Sequence, residues 1–159
     1  MTSNPSNGSA LKVHLPSLDG NRTLRTQTAA PINLLPVRIL FVDDEPQVVE
    51  AAARLLKRLG YRVTACASSL QARQVFYDDP HEFDLVITDM SMPLMSGLEL
   101  AADLVKLRPD LPIILCSGGG GPISLEAARQ AGVKEILLKP ANILELAKSI
   151  HRVLDYQEK

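Results

Sequence analysis

Four apolar, strand-like runs of the sequence each end in a polar side chain that could do chemistry. They deliver Asp43 with Asp44, then Asp89, Ser117 and Lys139. In an open parallel α/β sheet the ligand crevice lies at the carboxyl ends of the strands, so these residues converge if the runs are parallel strands of one sheet. Three carboxylates, a hydroxyl and an ammonium at one place would bind a hard cation and an anion together.

The adjacent acids Asp43 and Asp44 suggest a metal. Two neighbouring carboxylates at a strand end repel each other unless a cation neutralises them. With Asp89 they form a set of hard oxygen ligands that suits Mg²⁺, which accepts one or two carboxylates and keeps several waters. The alternative is that Asp44 or Glu45 only caps the following helix, which would explain one acid of the pair.

Asp89 and Lys139 suggest phosphoryl chemistry. A carboxylate can attack phosphorus and form an aspartyl phosphate if a metal and a cation offset the charge of the transition state. Lys139 would be that cation, aimed by Pro140 behind it, and Ser117 could donate a hydrogen bond to a phosphoryl oxygen. Taken singly, Asp89 could be a turn residue, Lys139 a solvated charge and Ser117 a loop former. The presence of all these residues, in the order that the topology requires, favours a phosphoryl-transfer site.

The elements that must position these residues begin at Val37. Apolar runs of about four residues alternate there with segments of helical period, which predicts five βα units and a doubly wound parallel sheet with helices on both faces. Only the second run, 61–67, looks like an edge strand. Helices are predicted from Pro46 to Gly60, over 69–78, after a capping box formed by Ser96 and Glu99, over 123–131 and over 143–154.

Length and composition narrow the function classes. A chain of 159 residues with a net charge of -1 predicts one domain and no direct binding of nucleic acid. No stretch is long and apolar enough to cross a membrane, and the first nine residues lack the features of a signal peptide, so we expect a cytoplasmic protein. Cys66 and Cys116 lie in apolar runs and are expected to be reduced core residues without a metal.

Residues 1–36 are rich in Ser, Thr, Asn, Pro and Gly and predict a disordered tail or linker. The folded domain is expected over 37–155, with 156–159 as a short C-terminal tail.

Over residues 37–155 the chain resembles the receiver domain of bacterial two-component response regulators. The matching segments are 39–46 (ILFVDDEP), 84–93 (DLVITDMSMP) followed by Ser96-Gly97, and Lys139-Pro140. The resemblance implies a flavodoxin-like sheet with strand order 2-1-3-4-5. It also implies that Asp89 is phosphorylated by a histidine kinase or a phosphotransfer protein, and that the output is a contact with a further, unidentified protein.

The resemblance assigns further roles at the same site. It implies that Mg²⁺ is held by Asp43, Asp44, Asp89 and the backbone carbonyl of Ser91, and that Ser117 and Lys139 contact the phosphoryl group. It implies no enzyme in the usual sense, only self-phosphorylation from phosphodonors and slow hydrolysis of the product.

Two positions depart from the family. Its members usually have an aromatic residue three positions before the lysine, which couples phosphorylation to a surface change, whereas Ile136 stands here. The second departure is the run of four glycines at 118–121, which we interpret as a mobile lid that leaves the phosphoryl group open to water. The run lacks the Lys-Ser/Thr of a phosphate-binding P-loop.

Residues 7–16 (NGSALKVHLP) resemble the last glycine turn and strand of a histidine-kinase ATP-binding domain. The chain could therefore be the C-terminal part of a hybrid histidine kinase, and a plain disordered tail is the alternative. Two other functions compete with a phosphoacceptor. A phosphatase of the haloacid-dehalogenase type would need a second aspartate where Ser91 stands, and a degenerate receiver would not need all its chemical positions filled.

Overall fold

The computed structural model describes residues 36–119, 124–139 and 142–155. Within these ranges five strands alternate with five helices. In chain order they are β1 Arg38–Val42, α1 Pro46–Arg58, β2 Arg62–Cys66, α2 Ser69–Asp78, β3 Leu85–Asp89, α3 Gly97–Leu107, β4 Ile113–Ser117, α4 Leu125–Gln130, β5 Glu135–Leu138 and α5 Ile143–Asp155.

The strands form one parallel sheet in the order β2-β1-β3-β4-β5. The predicted doubly wound, flavodoxin-like fold is therefore confirmed, with β2 at an edge. β3 and β4 are buried at every position because helices cover both of their faces, whereas β2 alternates in exposure.

Two apolar layers flank the sheet. On one face α1 and α5 pack on the sheet through Leu56 and Ile150. On the other face α2, α3 and α4 bury residues such as Phe76, Leu100 and Ala128. With a layer on each face, the carboxyl ends of the strands remain the place where polar side chains can gather.

The helix ends follow local sequence signals. Pro46 opens α1, and Gly60, with φ of 94°, follows its end. The predicted capping box of α3 is present, because Ser96 and Glu99 exchange hydrogen bonds. The fourth helix, predicted over roughly 123–131, is α4: it has six residues and begins after Ser124, whose hydroxyl accepts a hydrogen bond from the backbone N–H of Ala127.

Several predictions fall outside the described residues. They concern the tail of residues 1–35 with its kinase-like segment 7–16, Gly120 and Gly121 of the glycine run, Pro140, and residues 156–159. In the described part of the chain, no helix combines the length and the apolar character that crossing a membrane requires.

An ion cluster lies at the end of the sheet where the strands begin. We call Arg38, Asp84 and Arg108 the amino-edge cluster. Arg38 donates from Nη2 to Asp84 Oδ1 at 2.8 Å and from Nε to Oδ2 at 3.1 Å. Its backbone N–H also reaches Oδ2 at 2.8 Å, and Arg108 Nη1 donates to the carbonyl of Phe83 at 2.6 Å. The cluster ties the starts of β1 and β3 together.

Candidate functional site

A second ion cluster lies at the opposite end of the sheet. The Lys139 ammonium is 2.7 Å from Asp43 Oδ2 and 2.5 Å from Asp89 Oδ1. We call Asp43, Asp89 and Lys139 the carboxyl-edge cluster. Three of the residues singled out in the sequence are thus brought together from β1, β3 and β5.

Sheet hydrogen bonding continues up to this cluster and fixes its backbone. The backbone N–H of Asp43 donates to the Cys66 carbonyl at 3.2 Å, and that of Lys139 donates to the Ser117 carbonyl at 2.7 Å. Asp89 is itself the last residue of β3 and pairs in register with Cys116. Asp89 therefore projects from the last residue of β3, and Asp43 and Lys139 project from the residues directly after β1 and β5, where sheet-type hydrogen bonds continue.

The charges of the carboxyl-edge cluster are largely buried and therefore interact strongly. Asp43 is 1% exposed and Asp89 is 6% exposed. Burial by itself disfavours the charged form of Lys139, but the hydrogen bonds to Asp43 and Asp89 outweigh it and raise the pKa of the ammonium above its usual value. Lys139 is therefore a permanent cation between two buried acids.

Backbone N–H groups take up the remaining oxygens of both acids. Asp43 Oδ1 accepts a hydrogen bond from the N–H of Glu45 at 2.9 Å, and Asp89 Oδ2 accepts one from the N–H of Ser91 at 2.7 Å. Glu45 is the N-cap residue of α1, yet its side chain makes no capping hydrogen bond. The alternative that Glu45 serves as a capping acid is thus not supported.

The third acid, Asp44, and the Ser91 carbonyl differ from the two buried acids, because neither group has a hydrogen-bond partner among the described residues. Asp44 is half-buried and, among the described residues, its side chain forms no hydrogen bond or ion pair. Ser91 is exposed, and its carbonyl accepts no hydrogen bond from a described residue. In the chain, Asp44 directly follows the buried Asp43, and Ser91 is two residues after the buried Asp89.

The oxygen ligands at this edge of the sheet are of the type that Mg²⁺ prefers, but their side chains are not arranged as a metal site. Asp43 and Asp89 share one ammonium, and Asp44 adds a further carboxylate directly after Asp43 in the chain, so negative charge is in excess, and all the donors are hard oxygens, as Mg²⁺ prefers. In the described ranges, no three His, Cys, Asp or Glu side chains are grouped so as to hold a metal ion. The Lys139 ammonium pairs with one oxygen of Asp43 and one oxygen of Asp89.

Ser117 is at the same edge, but its hydroxyl points elsewhere. It is buried at the end of β4 and accepts a long hydrogen bond, 3.5 Å, from the N–H of Gly119. Among the described residues, no hydrogen bond joins its hydroxyl to Asp89 or Lys139. Its proposed contact with a phosphoryl group stays a prediction.

Gly97 belongs to a segment that matches the family, but the sequence analysis gave it no role at the site. Its N–H donates to the Met90 carbonyl at 3.0 Å, and a Cβ on it would lie 2.0 Å from the carbonyl oxygen of Asp89. Only glycine therefore lets α3 begin against the backbone of Asp89. The signal was a glycine directly after the N-cap residue Ser96, a place where a helix gains nothing from it.

A cavity of about 580 Å³ adjoins the cluster between α1 and α5. Its walls are mostly apolar, and the acids and Lys139 lie at one part of it together with Gly118. Cys116 also lines it; burial raises the pKa of its thiol to about 12, so the thiol stays protonated. Cys66 and Cys116 are both buried and unpaired, as the sequence predicted.

The surroundings of Ile136 and of the start of the glycine run, the two departures from the family, are visible in the structure. Ile136 is half-buried and packs against the apolar layer of α2, α3 and α4, beside a shallow cavity of about 290 Å³ between α4 and β5. Gly118 and Gly119 are exposed, and a Cβ on either would meet no atom within 4 Å. The start of the glycine run therefore leaves open space beside the cluster.

The fold and this site define a flavodoxin-like α/β module in which two buried acids at strand ends share one lysine. Comparison with known proteins names the family: residues 39–151 match the model of the response regulator receiver domain. The chain belongs to this family.

Two-component response regulators of plants are among its curated relatives. One from Oryza sativa subsp. japonica is 34% identical over 119 residues, which is 75% of this chain and 20% of the relative. One from Arabidopsis thaliana is 34% identical over 117 residues, or 74% of this chain and 22% of the relative. The chain thus spans about a fifth of the length of these relatives.

Solved receiver domains share the fold over nearly their whole length. A receiver domain protein from Clostridium thermocellum is 29% identical with a TM-score of 0.72, covering 77% of this chain and 97% of the other. The response regulator TrrA from Thermotoga maritima, in complex with Mg²⁺-BeF, is 32% identical with a TM-score of 0.67, covering 74% and 99%.

Proposed function

We propose that this chain is a phosphoacceptor in a two-component phosphorelay. Asp89 would accept a phosphoryl group from a phosphohistidine of a histidine kinase or phosphotransfer protein, in a Mg²⁺-dependent reaction, and the output would be a contact with another protein. One observation carries the proposal: two buried carboxylates from separate strands share the ammonium of Lys139. A purely structural pair would need one acid for one base.

Asp89 has the position of a nucleophile. One of its carboxylate oxygens attacks the phosphorus, the phosphorus–nitrogen bond of the donor breaks, and the imidazole leaves as the acyl phosphate forms. The N–H of Ser91 holds the other side of the carboxylate, which fixes its orientation. The small exposed fraction of Asp89 limits the access of a donor to its carboxylate.

Lys139 would stabilise the charge that develops on the phosphoryl oxygens. It is already within ion-pair distance of Asp89 and is held there by Asp43. A preorganised cation in a partly water-excluded site lowers the barrier without reorganisation at the moment of reaction. Asp43 would thus have two roles: it positions Lys139 and provides an oxygen ligand for a metal.

The residues that would hold Mg²⁺ are Asp43, Asp44, Asp89 and the carbonyl of Ser91. When bound, the ion neutralises the acids and the incoming phosphate, which would otherwise repel each other. The similarity to a solved response regulator in complex with Mg²⁺-BeF supports this assignment.

The test is an incubation with acetyl phosphate, with and without Mg²⁺, followed by intact mass. We expect a single phosphoryl adduct that needs Mg²⁺ and is absent from Asp89→Asn. Asp78→Asn is the matched control, because Asp78 is an exposed acid at the end of α2. Beryllofluoride binding with the same dependence on Asp89 and Mg²⁺ would support the same conclusion.

Two results would contradict the proposal. No adduct and no beryllofluoride binding would leave a degenerate receiver that serves only as an interaction surface. Repeated turnover of a generic phosphate ester would indicate a phosphatase instead.

A further inference from the structure

Leu94 combines two features that folding does not favour. Its side chain is 89% exposed, and its backbone has φ of 69°, a conformation otherwise adopted only by glycines within the described ranges. The N–H of Met95 donates to the Pro93 carbonyl at 2.8 Å, which closes a three-residue turn around Leu94. A bulky side chain at positive φ is an outlier, and a γ-turn of this hand is strained.

The loop that carries Leu94, residues 90–96, is fixed at both ends on Asp89. At one end the N–H of Ser91 bonds the Asp89 carboxylate, and at the other Gly97 packs on the Asp89 carbonyl. Between them Met92 is buried and Met95 packs against the apolar layer below. Leu94 is therefore an apolar side chain presented to solvent at a defined place beside the nucleophile.

Folding accounts for the two methionines but not for the leucine. An exposed leucine gains almost no burial, and asparagine or glycine would adopt this φ with less strain. A lone exposed leucine is ordinary on a protein surface. A leucine that is exposed and also held in a strained turn next to a site points to a role in binding.

Geometry indicates which partner would cover it. Leu94 is three positions after Ser91 in the chain, so their Cα atoms are at most about 11 Å apart. A standard protein interface covers about 800 Å² per partner, a disc of roughly 16 Å radius. A protein that brings phosphorus to about 3.5 Å from an Asp89 oxygen must centre its contact near the site and would cover Leu94. A downstream partner has no such constraint.

We infer that Leu94 is a docking residue for the protein phosphodonor, which places apolar surface over it while its phosphohistidine reaches Asp89. The inference rests on the proposed function, because it assumes transfer to Asp89. A small phosphodonor such as acetyl phosphate has no surface to place on Leu94. Protein and small-molecule donors should therefore differ in their dependence on this side chain.

The experiment compares Leu94→Asn with Leu59→Asn. Leu59 is also an exposed leucine, but it follows α1 at the opposite edge of the sheet and has φ of -79°. Each protein is labelled by acetyl phosphate and, separately, by purified autophosphorylated histidine kinases, of which the one that labels the wild type fastest is the probe. Thermal unfolding is recorded for all three proteins.

We expect transfer from the kinase to Leu94→Asn to fall about tenfold, equivalent to about 1.4 kcal/mol. Labelling by acetyl phosphate should match the wild type, and the Tm should be equal to or above that of the wild type because asparagine tolerates positive φ. Leu59→Asn should retain both labelling rates.

Each other outcome overturns the inference in a distinguishable way. Unchanged kinase transfer to Leu94→Asn leaves the proposed function intact and removes Leu94 from docking. Loss with both donors, or a lowered Tm, assigns Leu94 to the integrity of the site or the fold. Labelling of the wild type by acetyl phosphate but by no kinase rejects a docked kinase donor, and no labelling at all rejects the proposed function as well.

Discussion

The two ends of the sheet carry ion clusters built from the same kinds of side chain but with different balances of charge. At the amino edge, Asp84 is matched by Arg38 in two side-chain hydrogen bonds, with Arg108 anchored close by. At the carboxyl edge one ammonium is shared by Asp43 and Asp89, and the adjacent Asp44 adds a third acid.

This difference separates a cluster that holds the fold from one that can do chemistry. In the Arg38–Asp84 pair one carboxylate meets one guanidinium, so the charges balance and no surplus acid is left to attract a cation. Surplus carboxylates in a buried setting remain unfavourable until a further cation arrives, and this is a reason to expect a metal and a phosphoryl group at one edge only. Variants at both edges can test the contrast.

The largest expected effect belongs to Lys139→Met. Removing the shared ammonium leaves the transition state at Asp89 without its preorganised cation, so the rate of labelling by acetyl phosphate should fall about 10²- to 10³-fold. The rate is measured by intact mass against time. Lys134→Met is the matched control, since Lys134 is exposed and lies before β5 at the other edge. Wild-type rates in Lys139→Met would remove the lysine from the chemistry.

Arg38→Met should lower stability without slowing the labelling of Asp89. It removes the guanidinium from Asp84 at the half-exposed amino edge, so the free energy of unfolding should fall by about 1 kcal/mol while labelling of Asp89 is unchanged. Urea unfolding measures the first and intact mass the second. Arg62→Met is the control, because Arg62 pairs with Arg38 in register but is exposed. A slowed labelling rate would show that the two edges are coupled.

The contrast also shows what the sequence could predict. The carboxyl-edge residues follow apolar runs, and the topology of a parallel sheet brings such strand ends together, so Asp43, Asp89 and Lys139 were found without coordinates. Arg38 and Asp84 were not, although opposite charges at the starts of two strands that pair would have been a signal.

Side-chain direction and loop closure could not be predicted, because they depend on contacts that the chain makes only when folded. Examples are the shared position of Lys139, the turn of the Ser117 hydroxyl towards Gly119, and the contact of Gly97 with the Asp89 carbonyl. The positive φ of Leu94 belongs here too, since it follows from a loop fixed at both ends.

The pH dependence of stability should distinguish the amino edge further. Burial opposes the charged form of Asp84, but the hydrogen bonds from Arg38 outweigh it and lower the pKa of the carboxyl below its ordinary value of 3.8. A lowered pKa gives stability that is complete above the ordinary value and is lost as the pH falls through the folded one. Wild type should therefore lose stability more steeply than Asp84→Asn below about pH 4.

Urea midpoints across a series of pH values measure this effect. Asp78→Asn, at an exposed acid on α2, should instead follow the wild-type curve. Curves of the same slope for wild type and Asp84→Asn would mean that the Arg38 pair adds nothing to acid stability.

The smallest expected effect concerns access of water to the carboxyl edge. Gly118 lines the same cavity as Asp89 and Lys139, and a Cβ on it would meet no atom within 4 Å, so a first side-chain carbon fits without steric conflict. If the glycine run exposes the phosphoryl group, side chains of growing size at this position should exclude water and lengthen its lifetime several-fold.

A graded series, Gly118→Ala, Gly118→Val and Gly118→Leu, tests this by following decay of the adduct after the donor is removed. The Tm of each variant shows whether the fold is kept. A lifetime that rises with side-chain volume at constant Tm would show that solvent access at this loop sets the lifetime of the phosphorylated state. A constant lifetime across the series would instead assign hydrolysis to a water already held inside the cluster, out of reach of position 118.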